Sequence, residues 1–262
     1  MKLLNKDLDL EAFFQRVHTA SERILMLDYD GTLAPFRPER DQAVPYPGVR
    51  ERLTRILSAG STRLVIVSGR AVSDLTPLLR LDALPEIWGS HGAEQLMPDG
   101  RYHSASSEKR PAEGLDAAYW WAREQGLLET TERKPVGIAF HWRGKAADEI
   151  DSIRTAISDR WRDSAADFGL VLREFDGGLE LRVEGITKGE AVRRIAGGSI
   201  SNSAVAYLGD DETDEDAFRA LPEHGLAVLV RSELRESAAD VWLQPPAEML
   251  AFLDRWAVSG RG

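Results

Sequence analysis

The chain contains no cysteine. Disulfides, thiolate zinc centres and cysteine nucleophiles are therefore excluded. Positive charge is also short: 33 Lys and Arg face 43 Asp and Glu, a formal net charge of −10 over 262 residues. Nucleic-acid and anionic-membrane partners need a basic surface, so neither is expected. No apolar run is long enough to span a bilayer. Met1 to Arg16 interleaves Asp7, Asp9 and Glu11 with Leu and Phe, so it lacks the uncharged stretch of a signal peptide. A soluble, cytoplasmic protein acting as a monomer is the expectation. A Walker loop and a Gly-x-Gly-x-x-Gly fingerprint are both missing, which removes support for nucleotide binding. An anionic small substrate is still allowed, because a bound cation and a few local Lys or Arg can reverse the sign inside a cleft.

What is present is a set of polar clusters behind apolar runs. Hydrophobic residues make up 43%, enough for a sizeable core in one large or two small domains. Arg23-Ile24-Leu25-Met26-Leu27 reads as a buried strand and delivers Asp28-Tyr29-Asp30-Gly31-Thr32. Leu64-Val65-Ile66-Val67 delivers Ser68-Gly69-Arg70, and Val205-Ala206-Tyr207-Leu208 delivers Gly209-Asp210-Asp211-Glu212-Thr213-Asp214. Lys188-Gly189 stands between the last two clusters.

Strands at 23–28, 63–67 and 87–90 alternate with helices at 48–59 and 72–80. This predicts a parallel sheet with helices on both faces. Pro98-Asp99-Gly100 marks a hairpin turn. Residues 104–113 are polar and contain Pro111, and read as a linker. Then the pattern changes to helix (114–125), strands (128–133, 136–142), helix (146–165) and strands (169–174, 178–183), with Asp176-Gly177-Gly178 turning the last pair. Helix-strand-strand repeated twice predicts a small α+β unit. From Lys188 the first pattern resumes: a helix to Ile195, strand 204–208, a helix from Asp214 to Leu221, strand 226–230 and a helix near 246–256. The fold class is therefore α/β, a doubly wound parallel-sheet core (1–103 and 184–262) interrupted by an inserted α+β cap (104–183).

Ligands of doubly wound sheets bind at the carboxyl ends of the strands. A hard cation such as Mg²⁺ takes oxygen ligands. Asp28, the Asp30 carbonyl and Asp210 can supply them, with Asp211 and Asp214 behind. Asp28 is then oriented as a nucleophile, and Asp30 is two residues away for proton transfer. Ser68 offers a hydroxyl and Lys188 a positive charge. These are the needs of phosphoryl transfer. Asp28 to Glu39 has the length of a calcium loop, but Leu33 stands where glycine is required, and Glu215 fails the second cluster in the same way. Singly, Ser68-Gly69 is a common turn, Lys188 a common solvated helix start and Asp210-Asp211 a common helix cap. Their joint order overturns those readings.

At these residues the chain resembles the haloacid-dehalogenase superfamily of phosphatases and, within it, the trehalose-phosphate phosphatases. Leu27 to Pro35, Ser68-Gly69-Arg70, Thr187 to Ala191 and Leu208 to Glu215 match the superfamily's four motifs. Gly89-Ser90-His91-Gly92-Ala93-Glu94 is similar to a segment of the trehalose branch. The resemblance implies an Mg²⁺-dependent hydrolase of a small sugar phosphate, trehalose 6-phosphate. Asp28 becomes the nucleophile of an aspartyl-phosphate and Asp30 the acid and then the base. Ser68, Gly69 and Lys188 bind phosphate, and Asp28, Asp30 and Asp210 hold the metal. In the cap, Glu132, Lys134, His141, Arg143 and Glu180 match strands that contact the disaccharide, although a solvated sheet face carries alternating charges anyway. The family's usual proline after the matching glutamate is replaced here by Arg182-Val183-Glu184. Another sugar-phosphate phosphatase (for sucrose phosphate or a mannosyl-glycerate phosphate), a phosphomutase and a silent regulatory domain remain the alternatives.

Overall fold

The computed structural model describes residues 1–37, 39–105, 108–142, 144–175, 177–198 and 202–258. The chain divides into two compact units, Met1–Tyr102 with Thr187–Gly262, and His103–Ile186. The first unit opens with β1 (Lys2–Leu3), α1 (Leu10–Thr19), β2 (Glu22–Leu27), α2 (Val49–Ala59), β3 (Arg63–Val67), α3 (Val72–Leu79), β4 (Glu86–Gly89) and β5 (Glu94–Leu96), followed by β6 (Tyr102–Ser104). The second unit holds α4 (Lys109–Glu124), β7 (Thr131–Lys134), β8 (Gly137–His141), α5 (Ala147–Trp161), β9 (Leu170–Phe175) and β10 (Gly178–Val183). The chain then returns to the first unit with α6 (Lys188–Ala196), β11 (Ser203–Gly209), α7 (Glu212–Ala220), β12 (Leu226–Val230), β13 (Val241–Leu243) and α8 (Ala247–Val258).

Among the described residues, nine strands form one sheet in the order β1-β13-β12-β11-β2-β3-β4-β5-β6. The run from β13 to β4 is parallel, whereas β1 and β5 pair antiparallel with their neighbours. Strands buried on both faces read as continuous apolar runs. In β2, Leu25 and Leu27 pack with α1, α2, α3 and α8, while Ile24 and Met26 pack with α6 and α7. From β2 the chain winds outward through β3 and β4, and from β11 it winds the other way through β12 and β13. The order therefore reverses between β2 and β11, and crevices at such switch points take ligands.

The smaller sheet runs β7-β8-β10-β9, all antiparallel. Ile138, Phe140, Leu179 and Leu181 form a core with Leu115 and Ala118 of α4 and Ile153, Ile157 and Trp161 of α5. Side chains alternate between faces along a strand, so Ala139, His141, Glu180 and Arg182 point the other way.

Several sequence expectations need correction. The segment 104–113 is not all linker, because α4 begins at Lys109. Pro111 sits in its first turn, where a missing N–H has no intrahelical partner to lose. The helix expected over 146–165 ends at Trp161. The helix expected from Asp214 starts at Glu212, because the Asp211 side chain caps it. β1, β13 and α1 were not anticipated. α1 is amphipathic, capped by Asp9 on the Ala12 N–H, with Leu10, Phe13, Phe14 and Val17 buried. No helix among the described residues is long and apolar enough to cross a membrane.

Candidate active site

The loops after β2 and β11 meet at the switch point. The Asp28 N–H donates to the Leu208 carbonyl at 2.8 Å, extending the parallel pairing into both loops. Gly31 turns the first loop with φ +83, and a Cβ there would overlap the Asp210 carboxylate. Only glycine allows that turn and that approach. The Thr32 hydroxyl bridges the pair, 3.3 Å from Asp210 Oδ1 and 3.5 Å from Asp28 Oδ2.

Lys188 reaches the same place from the first turn of α6, which Thr187 caps. Its Nζ donates to Asp28 Oδ1 at 2.6 Å and to Asp214 Oδ1 at 2.7 Å, and all three side chains are buried. Gly189 makes this reach possible: a Cβ there would come 2.5 Å from the Asp216 carbonyl oxygen of α7. The Tyr207 hydroxyl donates to Asp214 Oδ1 at 2.5 Å, and the N–H groups of Asp210 and Asp211 donate to Oδ2, each at 3.0 Å. Asp214 is thus fully engaged in holding Lys188 and its own loop. Asp211 caps α7 on the Glu212 N–H at 2.7 Å.

Asp28, Asp210 and Asp214 each bring a carboxylate oxygen within 4.8 Å of the other two. Ionised together, the three carboxylates would face one ammonium and leave an excess of two negative charges in a buried space. Burial and the neighbouring Asp214 charge push Asp28 up to about 7, against the pull of Lys188. Burial and the Asp28 charge raise Asp210 well above the usual carboxylate range. Burial alone would lower Lys188, but Asp214 and Asp28 more than offset this, and it is raised. A divalent cation cancels the excess. The donor set is all oxygen, which suits a hard cation, and Asp28 and Asp210 are the two acids that Asp214's engagement leaves to hold it.

The third loop carries Ser68, Gly69 and Arg70. Ser68 Oγ accepts the Arg70 N–H at 3.1 Å, and the Ser68 carbonyl accepts the His91 N–H at 2.9 Å. Ser90 and His91 adopt left-handed φ values of 49 and 58. Such strain costs of order 1–3 kcal/mol per residue and gathers at functional sites. Arg70 forks onto Asp30, Nε to Oδ2 at 2.6 Å and Nη2 to Oδ1 at 2.7 Å, and its Nη1 donates to the Arg40 carbonyl at 2.8 Å. Thr32, Arg70 and Tyr207 were not among the predicted site residues. Arg70 was visible beside Ser68-Gly69, and Tyr207 as a hydroxyl inside the apolar run 204–208.

In the second unit, Lys134 Nζ donates to Glu180 Oε1 at 2.7 Å and lies 3.8 Å from Glu132 Oε2. His141 Nε2 is 2.9 Å from Glu132 Oε2, and Arg182 Nη1 is 3.5 Å from Glu180 Oε2. Glu132, Lys134, His141 and Glu180 therefore form one network on the sheet face opposite the helices. Arg143 lies outside the described residues.

Residues 26–244 match the family model of the trehalose-phosphatases. The chain belongs to the trehalose-phosphatase family. The trehalose-phosphate phosphatase of Mycobacterium avium (strain 104) is 33% identical over 254 residues, covering 89% of this chain and 61% of that protein. The chain thus spans about three-fifths of the length of the curated relatives it matches. The C-terminal domain of the C. albicans trehalose-6-phosphate phosphatase superposes with a TM-score of 0.79 at 21% identity, covering 98% of this chain and 99% of that one. A phosphatase of the haloalkanoate (HAD) superfamily from Bacteroides thetaiotaomicron has the same fold, with a TM-score of 0.58 at 18% identity, covering 90% and 96%. The trehalose-phosphatase family thus has here an HAD-like α/β core.

Proposed function

We propose that this member of the family is a divalent-cation-dependent phosphatase that hydrolyses trehalose 6-phosphate to trehalose and phosphate. The observation that carries the proposal is the buried cluster of Asp28, Asp210, Asp214 and Lys188 at the switch point. It supplies a carboxylate nucleophile, an oxygen cradle for a cation and a fixed positive charge. A divalent ion such as Mg²⁺, held by Asp28 and Asp210 with the Asp30 carbonyl, would neutralise the phosphoryl oxygens and lower the repulsion between phosphate and carboxylate.

Asp28 Oδ attacks phosphorus, and the bond from phosphorus to the sugar oxygen breaks. Asp30 gives that oxygen its proton. Lys188 offsets charge on the phosphoryl oxygens, and the Ser68-Gly69 loop supplies hydrogen bonds to them. Asp30 then takes a proton from water as its oxygen attacks phosphorus, and the bond to Asp28 breaks to release phosphate. Arg70 forks onto both Asp30 oxygens and so aims the carboxylate that transfers these protons, each oxygen keeping a second lone pair. The cap network of Glu132, Lys134, His141 and Glu180 is assigned the sugar hydroxyls, and support comes from the relatives named for trehalose phosphate.

The covalent step is tested with Asp30→Asn, which slows both half-reactions but leaves the attacking Asp28 in place. After mixing with trehalose 6-phosphate and Mg²⁺ and quenching in acid, mass spectrometry should find a phosphoryl adduct on the peptide containing Asp28. An adduct on another residue, or none in a single turnover that still releases trehalose, would contradict the mechanism.

A further inference from the structure

The loop after β12 grips the loop after β11 by its carbonyl groups. Arg235 Nη2 donates to the Asp211 carbonyl at 2.9 Å and lies 3.4 Å from the Asp210 carbonyl. Arg231 Nη1 also lies 3.4 Å from the Asp210 carbonyl. The other arm of Arg235, Nη1, donates to Glu215 Oε1 at 2.6 Å and to the Glu236 carbonyl at 2.8 Å. Glu215, buried in the first turn of α7, accepts the Ala238 N–H at 2.8 Å with its second oxygen. A closed ring of bonds therefore joins α7, residues 235–238 and the Asp210-Asp211 backbone.

Asp214 Oδ2 accepts the N–H groups of Asp210 and Asp211 at 3.0 Å, so the peptide joining these two residues meets Asp214 at its N–H and Arg231 and Arg235 at its carbonyl. The backbone from which Asp210 projects is thus pinned from both sides. Its side chain has little freedom either, because its carboxylate fills the space that a Cβ at Gly31 would need. Cation sites need ligands held within about 0.5 Å, and partners that orient a ligand typically contribute 10–100-fold to metal affinity.

We propose that Arg235 is a positioning residue for the cation site: with Glu215 as its anchor, it fixes the Asp210-Asp211 backbone and so sets cation affinity without touching the cation. This rests on the reading that Asp28 and Asp210 hold a divalent cation. Arg219 provides the contrast. It also approaches Glu215, at 3.5 Å, but its side chain is 62% exposed.

The test is a thermal-shift titration with MgCl2 alone, without substrate, on wild type, Arg235→Gln, Arg235→Lys and Arg219→Gln. The cation-free Tm reports the fold of each variant, and the Mg²⁺ midpoint reports the site. Arg235→Gln should raise the midpoint about 10–100-fold. Arg235→Lys keeps the charge but not the fork and should recover part of that loss, while Arg219→Gln should match wild type. An Arg235→Gln midpoint equal to wild type, whatever its cation-free Tm, would reduce Arg235 to a structural role and overturn the proposal. If Arg235→Gln does not fold, an unchanged midpoint in Arg235→Lys has the same force. A wild type that Mg²⁺ does not stabilise would overturn the cation reading itself, and this one with it.

Discussion

Among the described residues, Lys188 is the one ammonium paired with Asp28 and Asp214. Removing one partner of a buried ion pair typically destabilises by about 3–5 kcal/mol, because the other charge is left uncompensated. Lys188→Met leaves three acids with no cation and should lose about that much near neutral pH, measured by denaturant unfolding. Asp28→Asn removes one of the crowded acids whose ionisation burial opposes and should cost much less while abolishing turnover. If Asp28→Asn proves the less stable of the two, this account of the pocket's electrostatics is wrong. Arg70→Ala frees Asp30 from the fork that aims it, and small misplacements of a catalytic group cost up to about 10²-fold. Its kcat should fall by about that factor with KM little changed, and an unaltered kcat would count against the positioning role. The clustering of Asp28, Lys188 and Asp210 was legible because each stands at a fixed place beside an apolar run or a glycine. The Asp30–Arg70 fork was not, since nothing local pairs residues 40 apart. Arg235 gave no signal at all, because an arginine in a polar loop reads as solvated until its carbonyl partners are seen.

The elements that carry the site were read well where burial on both faces leaves an unbroken apolar run, as in β2, β3, β11 and β12. They were missed where they are too short for periodicity to speak, as in β1 and β13. Pro111 misled because its meaning depends on position: it breaks a helix interior and suits a first turn. α7 has a full capping box between Asp211 and Asp214, which joins helix initiation to the cation loop. Loss of a cap costs about 1 kcal/mol. For a domain of this size, Asp211→Ala should therefore lower Tm by roughly 2–4 °C. A Tm equal to wild type in a calorimetric scan would show that the helix does not depend on this cap.

For the molecule as a whole, the acid pocket ties stability to pH and to cations. In the cation-free protein Asp28 keeps its proton up to about pH 7, whereas an unfolded-state aspartate loses it near pH ~4. Between those values the folded state binds more protons than the unfolded one, so stability falls as pH rises, and the penalty is complete above the folded pKa. The raised Asp210 acts with the same sign. A cation must displace these protons, so the Tm gain from a fixed Mg²⁺ concentration should grow from pH 5 to pH 8. A gain that is flat or shrinks with pH would contradict the buried-acid cradle. The cap network makes a separate prediction about the substrate. Glu180→Gln weakens one charge-assisted bond, worth roughly 1.5–3 kcal/mol, so kcat/KM for trehalose 6-phosphate should fall by one to two decades relative to a small aryl phosphate. An unchanged ratio would make the network a structural ion cluster.

The central claim joins one residue, one class of ion and one substrate. Phosphate release from trehalose 6-phosphate, measured on wild type and Asp28→Asn with Mg²⁺ and with a chelator, tests all three together. The account predicts turnover by wild type with Mg²⁺ and none in the other three conditions. Turnover that survives the chelator or the Asp28→Asn change, or a wild type with Mg²⁺ that leaves trehalose 6-phosphate intact, would contradict it.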